Sequence, residues 1–251
     1  MTPRRIAEDV AFCLVFFTRL PLPHFDFGGR ALAQAVWAAP LVGVAVAVAA
    51  SIAHLVASAA GLSPEVAAAL ALATAMLVTG CLHEDGLSDV ADGFGGGRTR
   101  ERKLEIMRDS RIGAYGASAL LMSALLRWSA LAQLGNPFLV FCGLVAAHAA
   151  SRALLPAFMH LMHPARADGL AATAGSASAD AAYVALAIGA VALLALGFSG
   201  LVAAAILLAF VFFGFRALCM REIGGQTGDA LGGLQQLGEI AVLLVAAAVL
   251  T

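Results

Sequence analysis

The sequence contains few charged residues. Only 12% of its 251 residues are Asp, Glu, Lys or Arg, and 61% are hydrophobic, whereas a soluble domain carries about 25% charged residues. A soluble fold of this length must cover its surface with polar groups, so the composition excludes that class. The mean hydropathy of +0.91 indicates that lipid surrounds most of the chain.

A strong net charge and a cysteine pattern are also missing. The formal net charge is −1, which provides no field to recruit nucleic acid or an acidic partner. The four cysteines stand apart in apolar stretches, without the spacing of a metal site. No cleavable signal peptide and no internal repeat are evident, so residues 1–251 are predicted to form one integral membrane domain.

Long apolar runs predict an all-α, polytopic membrane helix bundle. A transmembrane helix needs about 20 mostly apolar residues. The candidate spans, with rough limits, are seven: 32–60, 65–83, 113–135, 138–160, 181–198, 200–217 and 236–251. Segment 6–18 is too short and too charged to span, so we expect a short interfacial or re-entrant helix there.

The connections between these spans predict an orientation. Glycine-containing tight turns without Lys or Arg are expected at 61–64, 135–137 and 197–200. Nearly all basic residues fall in the other connections, which seven spans place on one side of the membrane. The positive-inside rule makes that side cytoplasmic, with the N-terminus. Of two arginines inside spans, Arg127 either snorkels or faces inward, and Arg152 is expected to face inward with a functional role.

A dense acidic motif lies at the end of the second span. Within 82–92, Asp85, Asp89 and Asp92 are spaced i, i+4 and i+7, which is one face of a continuing helix, and Glu84 flanks it. The stripe contains no basic residue to neutralise these like charges. Oxygen-only ligands favour Mg²⁺ or Mn²⁺ over zinc. We therefore predict a divalent-cation site, the plainer alternative being a solvated acidic helix end.

A glycine-rich, basic segment follows directly. Glycines at 93–97 let backbone N–H groups approach an anion, and Arg98 and Arg102 provide bidentate donors for phosphate oxygens. A cation site beside such a loop predicts diphosphate binding, although the same arginines also act as topology signals. Asp109 is a candidate to complete the metal shell and Arg111 to bind phosphate, unless they cap a helix or snorkel.

A second polar island occupies 224–233. The predicted topology places it on the same side as the acidic motif. Asp229 within it is a candidate to hold a second cation or to orient a substrate hydroxyl. A flexible loop between spans is the alternative interpretation.

The order and spacing of several motifs resemble the cobalamin-5′-phosphate synthase family, also called adenosylcobinamide-GDP ribazoletransferase. The resembling segments are Phe17-Thr18-Arg19-Leu20-Pro21, Pro40-Leu41-Val42-Gly43, His83 to Phe94, Asp109 to Gly116, Ser151-Arg152, Arg166-Ala167-Asp168-Gly169 and Thr227 to Gly232. Cys81 and Ser88 stand where the family pattern has glycine and alanine. The resemblance implies a bacterial inner-membrane enzyme with a cytoplasmic active site. It implies Mg²⁺-dependent transfer of phosphocobinamide from adenosylcobinamide-GDP to α-ribazole or its 5′-phosphate, with release of GMP.

The residues and the resemblance together suggest roles for the candidate site. The Mg²⁺ ligands would be Asp85, Asp89, Asp92 and Asp109, and the phosphate or substrate contacts would be Arg19, Arg98, Arg102, Arg111, Arg152 and Asp229. Either Glu84 or Asp92 would accept the proton of the attacking hydroxyl.

Two other functions are compatible with the pattern. One is another membrane Mg²⁺-dependent transferase, of the CDP-alcohol phosphotransferase or prenyltransferase type, since spaced aspartates serve similar diphosphate chemistry there. The other is a cation-coupled transporter, which acids and arginines spread through several spans would favour. Here the charges crowd at one interface, which favours an enzyme. The sequence leaves the oligomeric state open, a homo-oligomer included.

Overall fold

The computed structural model describes residues 2–23 and 29–251. Over those ranges the chain forms twelve α-helices, and its single β feature is an isolated bridge between Pro164 and Gln226. The helices are α1 Pro3–Phe17, α2 Leu32–Ala35, α3 Ala39–Ala59, α4 Pro64–Thr79, α5 Leu82–Gly96, α6 Arg100–Ile106, α7 Ala114–Leu134, α8 Pro137–Leu161, α9 Leu170–Ala174, α10 Ala179–Leu193, α11 Gly197–Ile223 and α12 Gly228–Leu250. The predicted all-α membrane bundle is confirmed.

The helix starts follow from local sequence. Pro64 and Pro137 occupy first helical positions, where the missing N–H costs no hydrogen bond. Asn136 precedes α8, and its Oδ1 accepts from the backbone N–H of Phe138 at 2.9 Å. Thr227 caps α12 in the same way. Because of this cap, α12 begins at Gly228, several residues before the predicted limit at 236, and Asp229 belongs to its first turn.

The length and composition of the helices identify five segments able to cross a membrane, or six if the bent pair α4–α5 counts as one span. The seven predicted spans map onto these six, because 181–198 and 200–217 both lie within the continuous segment Ala179–Ile223. That segment turns at Gly197, whose φ is +73°. Helices α10 and α11 then fold back along each other, since residues of both line one apolar groove against α8.

The basic connections gather at one end of the bundle, as the topology predicts. Arg100 donates from Nε to the carbonyl of Ile223 at 2.8 Å and from Nη2 to that of Ala165 at 2.6 Å. Lys103 pairs with Glu222. Segments far apart in sequence are therefore tied together at this end, and we call it the basic end.

The glycine-containing turns meet at the opposite end. There Gln133 donates to the hydroxyl of Thr251 at 3.1 Å, and Gly135 lies against Pro64. The end of α12 is therefore remote from the basic end.

The chain bends by 89° between α4 and α5. Gly80 and Cys81 are both left-handed there, with φ of +62° and +57°. Cys81 is the one non-glycine residue with positive φ in the described ranges, a conformation that costs an L-residue roughly 1–2 kcal/mol. This accounts for the glycine of the family pattern at position 81. The predicted run 65–83 therefore ends at the bend, and the acidic motif belongs to a separate helix.

Helix α1 is attached to the bundle through a buried carboxylate. The Oδ2 of Asp9 accepts from the indole N–H of Trp37 at 2.9 Å, and its Oδ1 lies 2.7 Å from the Arg30 guanidinium. Phe17, at the end of α1, stacks on His83 with ring centroids 5.9 Å apart. The predicted helix at 6–18 thus exists, and its last turn lies beside the acidic motif.

Candidate active site

Close contact between α5 and α12 forms one wall of the site. A Cβ on Gly86 would lie 2.7 Å from the carbonyl oxygen of Asp229, and one on Gly232 would lie 3.2 Å from the Cα of Gly86. Both positions require glycine for the two backbones to approach this closely. The contact brings Asp85 of α5 beside Asp229 of α12.

A cavity at this contact joins two carboxylates and one guanidinium. Asp85, Asp229 and Arg166 all line it, together with His83. The Arg166 Nη2 lies 3.6 Å from the Asp229 Oδ2, and both side chains are largely buried, at 17% and 22% exposed. Within the described part of the chain, Asp229 Oδ2 and Arg166 Nη1 have no hydrogen-bond partner. Both groups therefore keep unused hydrogen-bonding capacity at the cavity wall.

Main-chain pairing between two distant segments fixes the position of Arg166. The N–H of Gln226 donates to the carbonyl of His163 at 2.9 Å, and the N–H of Ala165 donates to that of Gln226 at 2.7 Å. A Cβ on Gly225 would lie 2.6 Å from the His163 carbonyl oxygen. The glycine is thus needed for the pairing, which holds Arg166 next to the first turn of α12.

The aspartates of α5 occupy three different environments. Asp85 is exposed at the cavity, and Asp89 is half-buried one turn later, within electrostatic range of Asp85 and Asp229. Asp92 is buried, and its carboxylate accepts from the N–H groups of Gly113 at 2.7 Å and Gly116 at 2.8 Å. Asp92 thus caps the N-terminus of α7, where a negative charge is stabilising.

Asp109 and Arg111, the metal and phosphate ligands predicted in the loop before α7, bind each other. The Arg111 guanidinium donates to both carboxylate oxygens of Asp109, at 3.0 and 3.1 Å from Nε. These hydrogen bonds lower the pKa of Asp109 to about 2 and raise the pKa of Arg111. The structure does not bring this pair into the cavity, although both residues lie at the basic end.

The remaining predicted phosphate ligands also lie on the surface. Arg98 is exposed, and Arg102 pairs with Glu105 at 2.7 Å. Arg19 is exposed beside the α4–α5 bend, with its backbone N–H donating to the Val78 carbonyl at 2.7 Å. None of the three is among the residues that line the cavity in the described chain. The guanidinium inside it is that of Arg166.

Glu84 lies in a buried ionic network and is not among the described residues that line the cavity. Arg127 is 1% exposed, and its Nη1 donates to Glu84 Oε1 and to Glu239 Oε1, both at 3.0 Å. Gln236 also donates to Glu84 Oε1, at 3.3 Å. Arg127 therefore faces the interior and does not snorkel, and Glu84 links α5 to α7 and α12.

The same network contains Arg152. Its Nη1 lies 3.1 Å from His148 Nδ1 and 3.9 Å from Glu239 Oε2. Glu239 Oε2 also accepts from Gln235 at 2.6 Å and lies 3.0 Å from His148 Nδ1. The predicted inward orientation of Arg152 is confirmed. Its side chain belongs to this interior network and is absent from the cavity wall formed by described residues.

The two carboxylates of the cavity fit a magnesium ion that takes its other ligands from the substrate and from water. Among the described residues, no group of three or more His, Cys, Asp or Glu side chains is arranged to hold a metal. Mg²⁺ is usually bound through only one or two carboxylates, with substrate phosphates and water completing its octahedron. Asp85 and Asp229, whose Oδ2 lacks a partner in the described chain, match that donor set.

The sequence assigned no role at the site to two charged residues, Arg166 and Glu239. Arg166 belongs to one of the segments that resemble the family, Arg166-Ala167-Asp168-Gly169, and that resemblance was the signal that could have identified it. Glu239 had no local signal, because its partners Arg127 and His148 lie on other helices.

Comparison with known proteins gives a consistent result. The sequence family described as Cobalamin-5-phosphate synthase matches residues 9–247. The chain is 59% identical to an adenosylcobinamide-GDP ribazoletransferase of Mesorhizobium japonicum, over 100% of this chain and 97% of that protein. Proteins of the same name from Bradyrhizobium diazoefficiens and Sinorhizobium medicae are 52% and 45% identical, each covering at least 96% of both chains. No solved structure matches.

Proposed function

The chain belongs to the cobalamin-5-phosphate synthase family, and from this membership we propose the reaction. This enzyme transfers phosphocobinamide from adenosylcobinamide-GDP to α-ribazole or α-ribazole 5′-phosphate and releases GMP. The observation that supports the assignment is the cavity at the α5–α12 contact, which combines Asp85, Asp229 and Arg166. Two carboxylates and a guanidinium are the groups needed to bind a metal-complexed diphosphate.

The residues at and beside the cavity have different roles in the proposed reaction. Asp85 and Asp229 would hold Mg²⁺, which when bound neutralises charge on the diphosphate. Arg166 binds a non-bridging phosphate oxygen through the Nη1 that has no partner in the described chain. Asp89, half-buried one turn from Asp85 and within electrostatic range of Asp85 and Asp229, accepts the proton of the attacking ribose hydroxyl.

We place the site at the cytoplasmic face of the inner membrane. The cavity lies at the basic end, where Arg100, Lys103 and Arg166 make their contacts. A concentration of basic residues in connections between spans is typical of the cytoplasmic side. Both the nucleotide donor and the released GMP are then on the side where nucleotides occur.

A product assay tests the proposed reaction. Purified protein in detergent or liposomes, given adenosylcobinamide-GDP, α-ribazole and Mg²⁺, is expected to release GMP and cobalamin in equal amounts. Omission of Mg²⁺ with EDTA present should abolish both products. Turnover of a CDP-alcohol or a prenyl diphosphate, with no GMP from adenosylcobinamide-GDP, would contradict the proposal.

Replacement of the cavity guanidinium should weaken use of the donor. For Arg166→Gln we expect kcat/KM for adenosylcobinamide-GDP to fall about 10- to 100-fold, because a charged hydrogen bond to phosphate contributes about 1.5–3 kcal/mol. Arg166→Lys should recover part of the loss through its charge alone. Steady-state kinetics with varied donor measure the effect.

Arg221→Gln is the matched control. Arg221 is 74% exposed at the same end of the molecule and pairs with its neighbour Glu222. Its kinetics should equal those of the wild type. Equal losses in the two variants would mean that the guanidinium in the cavity has no special role.

A further inference from the structure

The cavity at the α5–α12 contact has two unlike walls. Its charged wall carries Asp85, Asp229 and Arg166, and the rest is mostly apolar. The apolar part is built by the end of α1, the start of the first span and the C-terminal half of α8. Its main side chains are Phe16, Phe17, Leu32, Val36, Leu155 and Met159. A charged site of this kind would need no such apolar extension to hold a diphosphate alone.

The size of the cavity distinguishes between the two substrates. The cavity volume is about 110 Å³, well below the several hundred Å³ of a pocket that encloses a whole drug-sized ligand. A space of this size suits one aromatic ring system, which is the base of the acceptor riboside, with the ribose toward the open mouth. The donor carries a whole corrinoid as well as a guanosine diphosphate and is several times larger, so its macrocycle must stay outside.

From these two features we propose that the apolar wall is the subsite for the aromatic base of the acceptor nucleoside. The inference rests on the proposed function and extends it to the recognition of one substrate. The base packs on Phe17, Leu155 and Met159, and the ribose points toward Asp85. In this orientation the attacking hydroxyl faces the charged wall, where the diphosphate binds.

The residues of this subsite are buried, and they present aromatic and aliphatic surface to a flat ring. Phe17 and His83 are stacked with an interplanar angle of 11°, and both are at least 95% buried. Leu155 and Met159, one turn apart on α8, are 2% and 1% exposed. A preformed aromatic and aliphatic surface binds a planar base with little loss of side-chain entropy.

A polar atom is also available within the subsite. His83 lines the cavity, and its Nε2 is buried without a hydrogen-bond partner in the described residues. A buried imidazole nitrogen that lacks a partner is costly. A ring nitrogen or a hydroxyl of the acceptor would satisfy it, which gives the site a means to orient the nucleoside.

Two adjacent leucines of α8 provide a matched test. Leu155 lines the cavity, whereas Leu154 lines the separate apolar groove between α8, α10 and α11. Both are buried, at 2% and 6% exposed. Leu155→Ala and Leu154→Ala therefore remove the same atoms from the same helix, and only the first alters the proposed subsite.

We expect Leu155→Ala to raise the KM for α-ribazole about tenfold or more, because lost methylene contacts in an apolar pocket reduce binding by that factor. The KM for adenosylcobinamide-GDP should not change. Preference for α-ribazole over the riboside of unsubstituted benzimidazole, which lacks two methyl groups, should decrease. Leu154→Ala should leave both KM values and the preference at wild-type levels.

The second variant, Leu155→Phe, narrows the same wall and should shift preference toward the smaller riboside. Equilibrium dialysis of α-ribazole against each protein measures binding without turnover. An equal effect of Leu155→Ala and Leu154→Ala on acceptor binding, or an effect of Leu155→Ala on the donor alone, would overturn the subsite. Absence of GMP from the wild type would instead contradict the proposed reaction, and dialysis would still report on the subsite.

Discussion

Asp85→Asn is expected to reduce kcat about 10³-fold while the protein remains folded and inserted in the membrane. Asparagine keeps the shape of the side chain and removes the charge that lies in the cavity opposite Asp229. Loss of one preorganised electrostatic group typically costs on the order of 10²–10³ in rate, and loss of a metal ligand adds to this effect. GMP release by purified protein measures it, together with the Mg²⁺ concentration that gives half of the maximal rate, which should rise.

Asp180→Asn serves as the control for this variant. Asp180 is exposed in the first turn of α10, and its loss should leave kcat and the Mg²⁺ dependence unchanged. Asp89→Asn should also lower kcat, since Asp89 is proposed to accept the hydroxyl proton. If Asp85→Asn turned over within about threefold of the wild type, the metal role of Asp85 would be wrong.

The largest effect on stability is expected from Arg127→Met. Without the guanidinium, Glu84 and Glu239 would face each other in the protein interior with no cation between them, because Arg127 Nη1 contacts both at 3.0 Å. Removing one partner of a buried ion pair costs about 3–5 kcal/mol. The free energy of unfolding, followed by circular dichroism during denaturant titration in micelles, should fall by that amount.

Two further variants separate the ionic effect from simple loss of side-chain packing. Arg221→Met removes an exposed guanidinium, and its free energy of unfolding should stay within about 1 kcal/mol of the wild type. The double variant Arg127→Met, Glu84→Gln should recover part of the stability, since it removes the carboxylate whose ion pair in the described structure is with Arg127. An Arg127→Met protein as stable as the wild type would show that the network contributes nothing.

The sequence predicted the fold class well, because hydropathy acts locally. Apolar runs of about 20 residues can only be satisfied as membrane helices, and the all-α bundle is confirmed. The acidic stripe at Asp85, Asp89 and Asp92 was recognised from its helical spacing, and all three lie on α5. Gathering of the basic connections at one end followed from counting spans between uncharged turns.

The division of labour among these charged residues was not predictable in this way. Asp92 shares the stripe with Asp85, yet its carboxylate binds the N–H groups of Gly113 and Gly116. Arg98 and Arg166 have the same chemistry, and only the second lines the cavity. Their roles in binding and catalysis stay predictions, whereas their positions are now known.

The sequence by itself determined that lipid surrounds the protein, that its architecture is helical and which region carries the charged motif. Those properties depend on hydrophobicity and on a 3.6-residue period within single segments. Tertiary structure alone decided which charged groups meet. Asp85 lies beside Asp229 because Gly86 and Gly232 let the backbones of α5 and α12 come into contact. Arg166 lies with them because the main chain of Gln226 pairs with that of His163 and Ala165. Contacts between distant segments depend on packing, which no local pattern encodes.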